Sequence, residues 1–260
     1  VSRGRTILRR VLWGLGLAAA AVVLGLGGRY AAAVEVRDVA VAGAVHAESD
    51  GLIRLIAIPD SARLYALDPH VLADRVARDP WVESARVSRR PNGAVHVRVT
   101  ERRPVALALD ASGRPAHYFD ASGHMMPAVP SALRQGYDVP LFVGALPRFL
   151  PTQPVEDAAL RRLLAALAAA NPVSDALVSA VERAPDGALT LHTAATPAGA
   201  SLPVALGRDG SAEQLARLQA FWEQAVLPRP DHRIRRVDLR FDGQVITEEA
   251  ASPAPTPIES

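Results

Sequence analysis

Apolar and polar positions change rhythm several times along this chain, and each rhythm predicts an element. From Val11 to Gly28 no residue is charged; Arg3, Arg5, Arg9 and Arg10 precede this run and Arg29 follows it. At about 1.5 Å per residue the run would rise roughly 27 Å as a helix, close to the ~30 Å hydrocarbon core of a bilayer, which predicts a transmembrane helix over 11–28. Val34 to Val41 then alternates with period two, a half-buried strand ended by Gly43. The period lengthens to three and four from Glu48 to Ile56, and again from Asp68-Pro69 to Arg78. There an aspartate N-cap and a first-turn proline start a helix with Leu67, Val71, Leu72 and Val76 on one stripe. Asp79-Pro80 stops it, because a residue before proline is pushed off helical angles. Alternation returns in Trp81 to Arg89 and Ala94 to Thr100, joined by Pro91-Asn92-Gly93. The order strand, helix, helix, strand, strand predicts two helices covering one face of a three-stranded sheet.

After Pro104 short strands dominate: Val105 to Leu109, His117 to Asp120, Pro140 to Val143, Ala176 to Arg183, Leu189 to Thr193, Leu202 to Leu206, Arg235 to Phe241 and Gln244 to Thr247. Two helices interrupt them, Val155 to Ala170 and Ser211 to Ala225, the second with Leu215, Leu218, Phe221 and Trp222 on one stripe. Ala250 to Ser260, with three prolines and no apolar period, predicts a disordered tail. The fold class is α+β: an N-terminal transmembrane helix, a β-α-α-β-β domain over 34–103, and a mostly β domain with two helices over 104–249.

Charge sets the expected orientation. Four arginines in the ten-residue tip, 1–10, predict a cytoplasmic N-terminus and an exported body, with Trp13 as an interfacial anchor. Ala31-Ala32-Ala33 offers a rival signal-peptidase site, yet the apolar run exceeds the usual h-region of about 7–15 residues, and either reading exports the same body. All 29 basic residues are arginine, five of them flanking the span, whereas all 27 acidic residues lie beyond it. The body is therefore mildly acidic, which argues against nucleic acid as a partner. With no cysteine in the chain, disulfides, thiolate metal sites and a cysteine nucleophile are excluded. Gly14 with Ala18, and Ala21 with Gly25, place small residues four apart in the span, a spacing that permits close helix contact.

Catalytic signatures are missing. Asp-Ala-Ser-Gly occurs at 110–113 and 120–123, but an aspartic protease needs Thr or Ser where Ala111 and Ala121 stand, so two hairpin tips are expected. His117 and His124, seven apart with no third ligand at metal-site spacing, are expected to be exposed hairpin residues. There is no G-x-S-x-G, H-E-x-x-H or phosphate loop. No cofactor, metal, catalytic residue or small-molecule substrate is expected. Trp81, directly after Asp-Pro, is expected to plug the helix–sheet core. Arg102-Arg103-Pro104 either holds two domains at a fixed angle or forms a solvated linker.

The segments V-E-V-R-D-V-A-V-A-G, L-Y-A-L-D-P-H-V-L, D-P-W-V-E-S-A-R-V-S-R-R-P-N-G and V-R-V-T-E-R-R-P-V-A-L occur in that order after a single span. With G-R-D-G-S-A-E-Q-L-A-R-L-Q-A-F-W and V-D-L-R-F-D-G-Q-V-I near the end, the ordered set resembles the bacterial cell-division family FtsQ/DivIB. The resemblance implies a polypeptide-transport-associated (POTRA) domain followed by a β-rich domain, without catalytic activity. It further implies a scaffold in the inner membrane at the division septum, which binds FtsB- and FtsL-like coiled-coil proteins and links them to septal peptidoglycan synthesis. Two other classes fit less well. A POTRA protein of outer-membrane assembly or secretion would need a series of membrane β-strands, and an exported hydrolase would need a site that leaves no motif.

The last predicted strand runs into the predicted tail and is expected at a sheet edge. Phe241, Gly243, Gln244, Val245, Ile246 and Thr247 are the candidate partner-binding residues, with Phe241, Val245 and Thr247 on one face and Gln244 and Ile246 on the other. The alternative is an ordinary closing strand whose apolar side chains belong to the core.

Overall fold

The computed structural model describes residues 2–169, 177–197, 199–229 and 234–249. Helix α1 (Ser2–Ala33) contains the predicted span: Leu12–Tyr30 is long and apolar enough to cross a membrane, and none of it is buried by protein. The chain divides into two compact units, 1–101 and 102–260.

In the first unit, β1 (Asp38–Ala42), α2 (Ser49–Ile56), α3 (Pro69–Val76), β2 (Val82–Arg89) and β3 (Ala94–Glu101) follow the predicted order. The sheet runs β1-β3-β2, with β1 parallel and β2 antiparallel to β3. Asp68 caps α3 as its sequence suggests, the carboxylate accepting the His70 amide at 2.8 Å. Leu52, Ile56, Leu72 and Val76 of the helices are buried, as are Val95, Val97 and Val99 of the sheet. Trp81 plugs this core at 2% exposure, its ring 4.6 Å from that of His46. β1 begins four residues later than the alternation suggested. Val34 and Val36 pair instead with the segment leading into a 3-10 turn at Leu64–Ala66: Leu64 N–H donates to Val34 O at 2.8 Å and Val36 N–H to Ala62 O at 3.0 Å.

The second unit is built on one nine-stranded sheet. Its strands are β4 (Ala106–Leu109), β5 (Pro115–Phe119), β6 (Met125–Pro127), β7 (Leu141–Gly144), β8 (Val178–Arg183), β9 (Leu189–Ala195), β10 (Ser201–Gly207), β11 (Ile234–Asp238) and β12 (Ile246–Glu249). They run in the order β12-β11-β10-β9-β8-β7-β4-β5-β6. Two elements lie outside the sequence expectation. β6 is only three residues with no alternation, and the six-residue helix α4 (Pro130–Gln135) is too short to carry a period, so among the described residues the unit has a helix that the sequence did not predict.

Helix α5 (Ala158–Ala169) starts after Asp157, whose carboxylate accepts the Leu160 amide at 3.1 Å. Helix α6 (Ala212–Phe221) opens on a capping box, with Ser211 and Gln214 exchanging side-chain and backbone bonds, and widens after Phe221 into a π turn over Trp222–Val226. Leu160, Leu163 and Leu164 of α5, with Leu215, Leu218 and Trp222 from α6 and its π turn, bury against the sheet. Each contributes about 1.5–3 kcal/mol relative to exposure. The predicted Leu215, Leu218, Phe221, Trp222 stripe is this packed face, with Phe221 partly buried at its margin. The tail expected over 250–260 and the helix end expected at Asn171-Pro172 lie outside the described residues.

Candidate functional site

The C-terminal edge of the large sheet is assembled by α6. β10 and β11 pair in parallel, so the chain between them must cross over the sheet, and α6 is part of that crossover. On α6 the buried Gln214 donates through Nε2 to Leu206 O at 3.1 Å and Leu239 O at 3.0 Å, tying the ends of β10 and β11 together. One turn on, Arg217 spreads its guanidinium over the chain that leads to β12. Nη1 donates to Phe241 O at 2.6 Å and Gln244 O at 3.1 Å, and Nη2 to Leu239 O at 3.3 Å. Gly243, at φ +68°, closes the turn, and Gln244 N–H donates to Phe241 O at 3.2 Å. Most other residue types would be strained at such a φ.

β12 then pairs antiparallel with β11, Asp238 opposite Ile246 and Val237 opposite Thr247. Its outer side meets no strand among the described residues. Val237 is fully buried, whereas all four residues of β12 are exposed, Ile246 at 44%. Beneath it Asp238 takes hydrogen bonds from Arg240 Nε at 2.9 and 3.0 Å, and this pairing holds its carboxyl below the usual carboxylate range.

The strand starts two residues later than its sequence suggested. Gln244 and Val245 precede it, because Arg217 takes the Gln244 carbonyl that a ladder would need, and Val245 packs, half-buried, against the core. Phe241 sits in the bend, 49% exposed, with the Arg240 guanidinium 6.0 Å from its ring centroid. Ile246 and Thr247 lie in β12 itself, and Gly243 in the turn that aims it. Sequence reasoning missed Gln214 and Arg217. The Ser-x-x-Gln spacing at 211–214 is the local signal that could have found Gln214, but nothing local points Arg217 at carbonyls more than twenty residues away.

The remaining chemistry-bearing residues do not converge. Asp110 and Asp120 cap the turns at opposite ends of the five-residue β5, roughly 17 Å apart at about 3.3 Å per residue, too far to share a proton. Both histidines are half-buried, not exposed: the His117 ring packs 4.8 Å from that of Phe149, and His124 Nδ1 lies 2.8 Å from Ser122 Oγ beside Asp120. Burial lowers the pKa of each, with the Arg102 charge adding to the effect at His124. Arg102 is no solvated linker residue, since its Nη1 donates to Asp120 Oδ2 at 2.8 Å within the second unit. Among the described residues, no three His, Cys, Asp or Glu side chains are placed to hold a metal ion.

Two family models match the chain: the POTRA domain of FtsQ type over residues 34–102, and the C-terminal region of cell division protein FtsQ/DivIB over residues 110–240. Among curated proteins, cell division protein FtsQ of Salinibacter ruber is 47% identical over 251 residues, 94% of this chain and 94% of that protein. FtsQ of Rhodothermus marinus is 40% identical over 250 residues, 96% of this chain and 89% of the relative. FtsQ of Myxococcus fulvus is 29% identical over 184 residues, 71% of this chain and 62% of that protein.

Proposed function

Because the chain belongs to the FtsQ/DivIB family of cell-division proteins, we propose that it is a single-pass scaffold of the division machinery that works by adding a partner's strand to β12. The α1 span anchors it in the cytoplasmic membrane with the N-terminus inside and both units outside, at the division septum. The partners are FtsB- and FtsL-like coiled-coil membrane proteins, through which it influences septal peptidoglycan synthesis. Boundaries at 34–103 for the POTRA domain and 104–249 for the β-rich domain belong to this proposal. A change of side-chain partners supports them: Glu101 accepts the amides of residues 45–47 in the first unit, and Arg102 holds Asp120 in the second.

One observation carries the reading. β12 offers a sheet edge and two uncovered faces at once, and Arg217 fixes it in place before any partner arrives. An added strand would gain main-chain bonds worth about 0.5–1.5 kcal/mol each net, and cover Ile246 for about 1.5–3 kcal/mol more. Binding of the full chain in detergent to a purified FtsB/FtsL-like pair tests it by titration. Ile246→Glu should weaken binding at least tenfold with the melting temperature unchanged, and undiminished affinity would refute the edge-strand reading. A fluorescent fusion should form a midcell band, and a uniform envelope signal would count against the septal assignment.

A further inference from the structure

The first unit places several of its arginines where it meets the membrane helix. Three bonds weld the end of α1 to the unit: Tyr30 Oη donates to Pro91 O at 3.2 Å, Arg63 Nη1 to Ala32 O at 2.9 Å, and Val34, which continues from α1, accepts Leu64 N–H. Arg63 thereby caps a carbonyl at the negative end of the helix dipole. Gly93 admits the close approach of the β2–β3 hairpin tip: at φ +92° a Cβ there would lie 2.7 Å from Glu35 O, and Arg37 N–H donates to Gly93 O at 2.9 Å. Tyr30, Arg37, Pro91 and Asn92 line a cleft of about 210 Å³ at this junction.

This end of the unit holds Arg29, Arg37, Arg63, Arg89 and Arg90 against the carboxylates Glu35, Asp38 and Asp60. Asp79, Glu83 and Glu101, with Arg78 beside them, lie at the other end, where Val82 faces Glu101. Arg29, Arg37 and Arg90 are exposed and enter no ion pair among the described residues. Tyr30 and Tyr65, 61% and 41% exposed, add two aromatic rings of the kind that settle at the headgroup level. Arg37 is four residues past the end of α1, so it stays within roughly 14 Å of it even at full stretch.

We propose that this rim, Arg29, Arg37, Arg63 and Arg90 with Tyr30 and Tyr65, docks on the phosphates of anionic phospholipids in the leaflet that α1 leaves, and so sets the tilt of the first unit on the membrane. The inference rests on α1 crossing a bilayer and is independent of the partner-strand reading. Lipid is the chosen occupant because the rim is continuous with the span: an anionic surface is always within reach, and guanidiniums attract it without a preformed pocket.

The chain lacks cysteine, so single spin labels at Asn92→Cys and at Glu83→Cys report the two ends of the unit separately. The labelled full chain goes into nanodiscs of pure phosphatidylcholine or of phosphatidylcholine with 30 mol% phosphatidylglycerol. With phosphatidylglycerol the Asn92→Cys label should lose mobility and gain accessibility to oxygen over a water-soluble nickel complex. The Glu83→Cys label should not change. Adding Arg37→Gln and Arg90→Gln should remove most of the shift, and 0.5 M salt should weaken it, the screening length falling well below the ~10 Å of 0.1 M. An identical label signal in the two lipid mixtures overturns the proposal without any variant. A shift that survives both substitutions overturns it too, as does one reproduced by inorganic phosphate on phosphatidylcholine discs, which would mark a free-anion site.

Discussion

The nine-stranded sheet ends in two edges that are finished in opposite ways. At one end β6 is three residues long, its Met125 and Met126 are buried at 2% and 0% exposure, Pro127 closes it, and α4 follows at once. Shortness and proline are two of the devices by which proteins blunt an edge against stray pairing. At the other end β12 has no proline, exposes all four residues, and is steadied by a guanidinium that grips the loop before it. The two edges thus differ in burial and in the support of the preceding loop, although Glu248 and Glu249 put charge, another such device, on half of β12. The exposed edge held in place by Arg217 is the feature on which the proposed partner strand would depend.

Equivalent truncations at the two edges should separate these roles most sharply. Met126→Ala removes a fully buried side chain and should cost about 2–5 kcal/mol of stability in chemical denaturation followed through Trp222. Ile246→Ala should stay within about 0.5 kcal/mol of the parent, because it trims an exposed surface. Partner affinity should invert the order, weakened by Ile246→Ala and preserved in whatever fraction of Met126→Ala remains folded. Equal stability losses at both positions would mean that β12 is as integral to the core as β6.

Arg217→Ala should have an intermediate effect. It deletes three charge-assisted bonds to carbonyls, only partly replaced by water, for a loss of about 1–3 kcal/mol confined to the end of the chain. Amide hydrogen exchange over 241–249 should quicken while β6 is unchanged, and affinity should fall because the added strand would first have to order its template. Unchanged exchange in β12 would show that the loop keeps its shape without the guanidinium.

The first unit was largely legible in the sequence because its signals are local. Asp68-Pro69 starts a helix, Asp79-Pro80 ends it, and Pro91-Asn92-Gly93 turns a hairpin, each within a few residues. Its one shifted boundary, at β1, arose because Val34 and Val36 alternate like strand residues but find their partners at 62–64. In the second unit the long helices and most strands announced themselves by period. β6 and α4 did not, since three residues and six residues are too few to show one. The geometry of the candidate edge strand was half legible. Ile246 and Thr247 follow from alternation at a chain end, whereas the displacement of Gln244 and Val245 from the strand follows from Arg217, 27 residues away from Gln244. Alternation cannot register a side chain that claims a backbone carbonyl from another element.

The smallest expected difference between the edges is in their response to acid. His117 on β5 and His124 in the β5–β6 turn have pKa values lowered from 6.5 by burial, with Arg102 adding to the effect and Asp120 opposing it at His124. A lowered histidine pKa means that the unfolded chain binds protons first, so the stability these groups contribute is complete above pH 6.5 and is lost as pH falls through their folded values. At the open edge the titrating group is Asp238, lowered from 3.8 by its hydrogen bond from Arg240, and the same sign places its loss below pH 3.8. Between pH 7 and pH 5, amide exchange corrected for intrinsic rate should therefore rise over 117–126 and stay level over 237–247. His124→Gln should flatten much of the first response, and a parallel rise at both edges would show that the sheet opens as one cooperative unit and that the contrast between its ends stops at their surfaces.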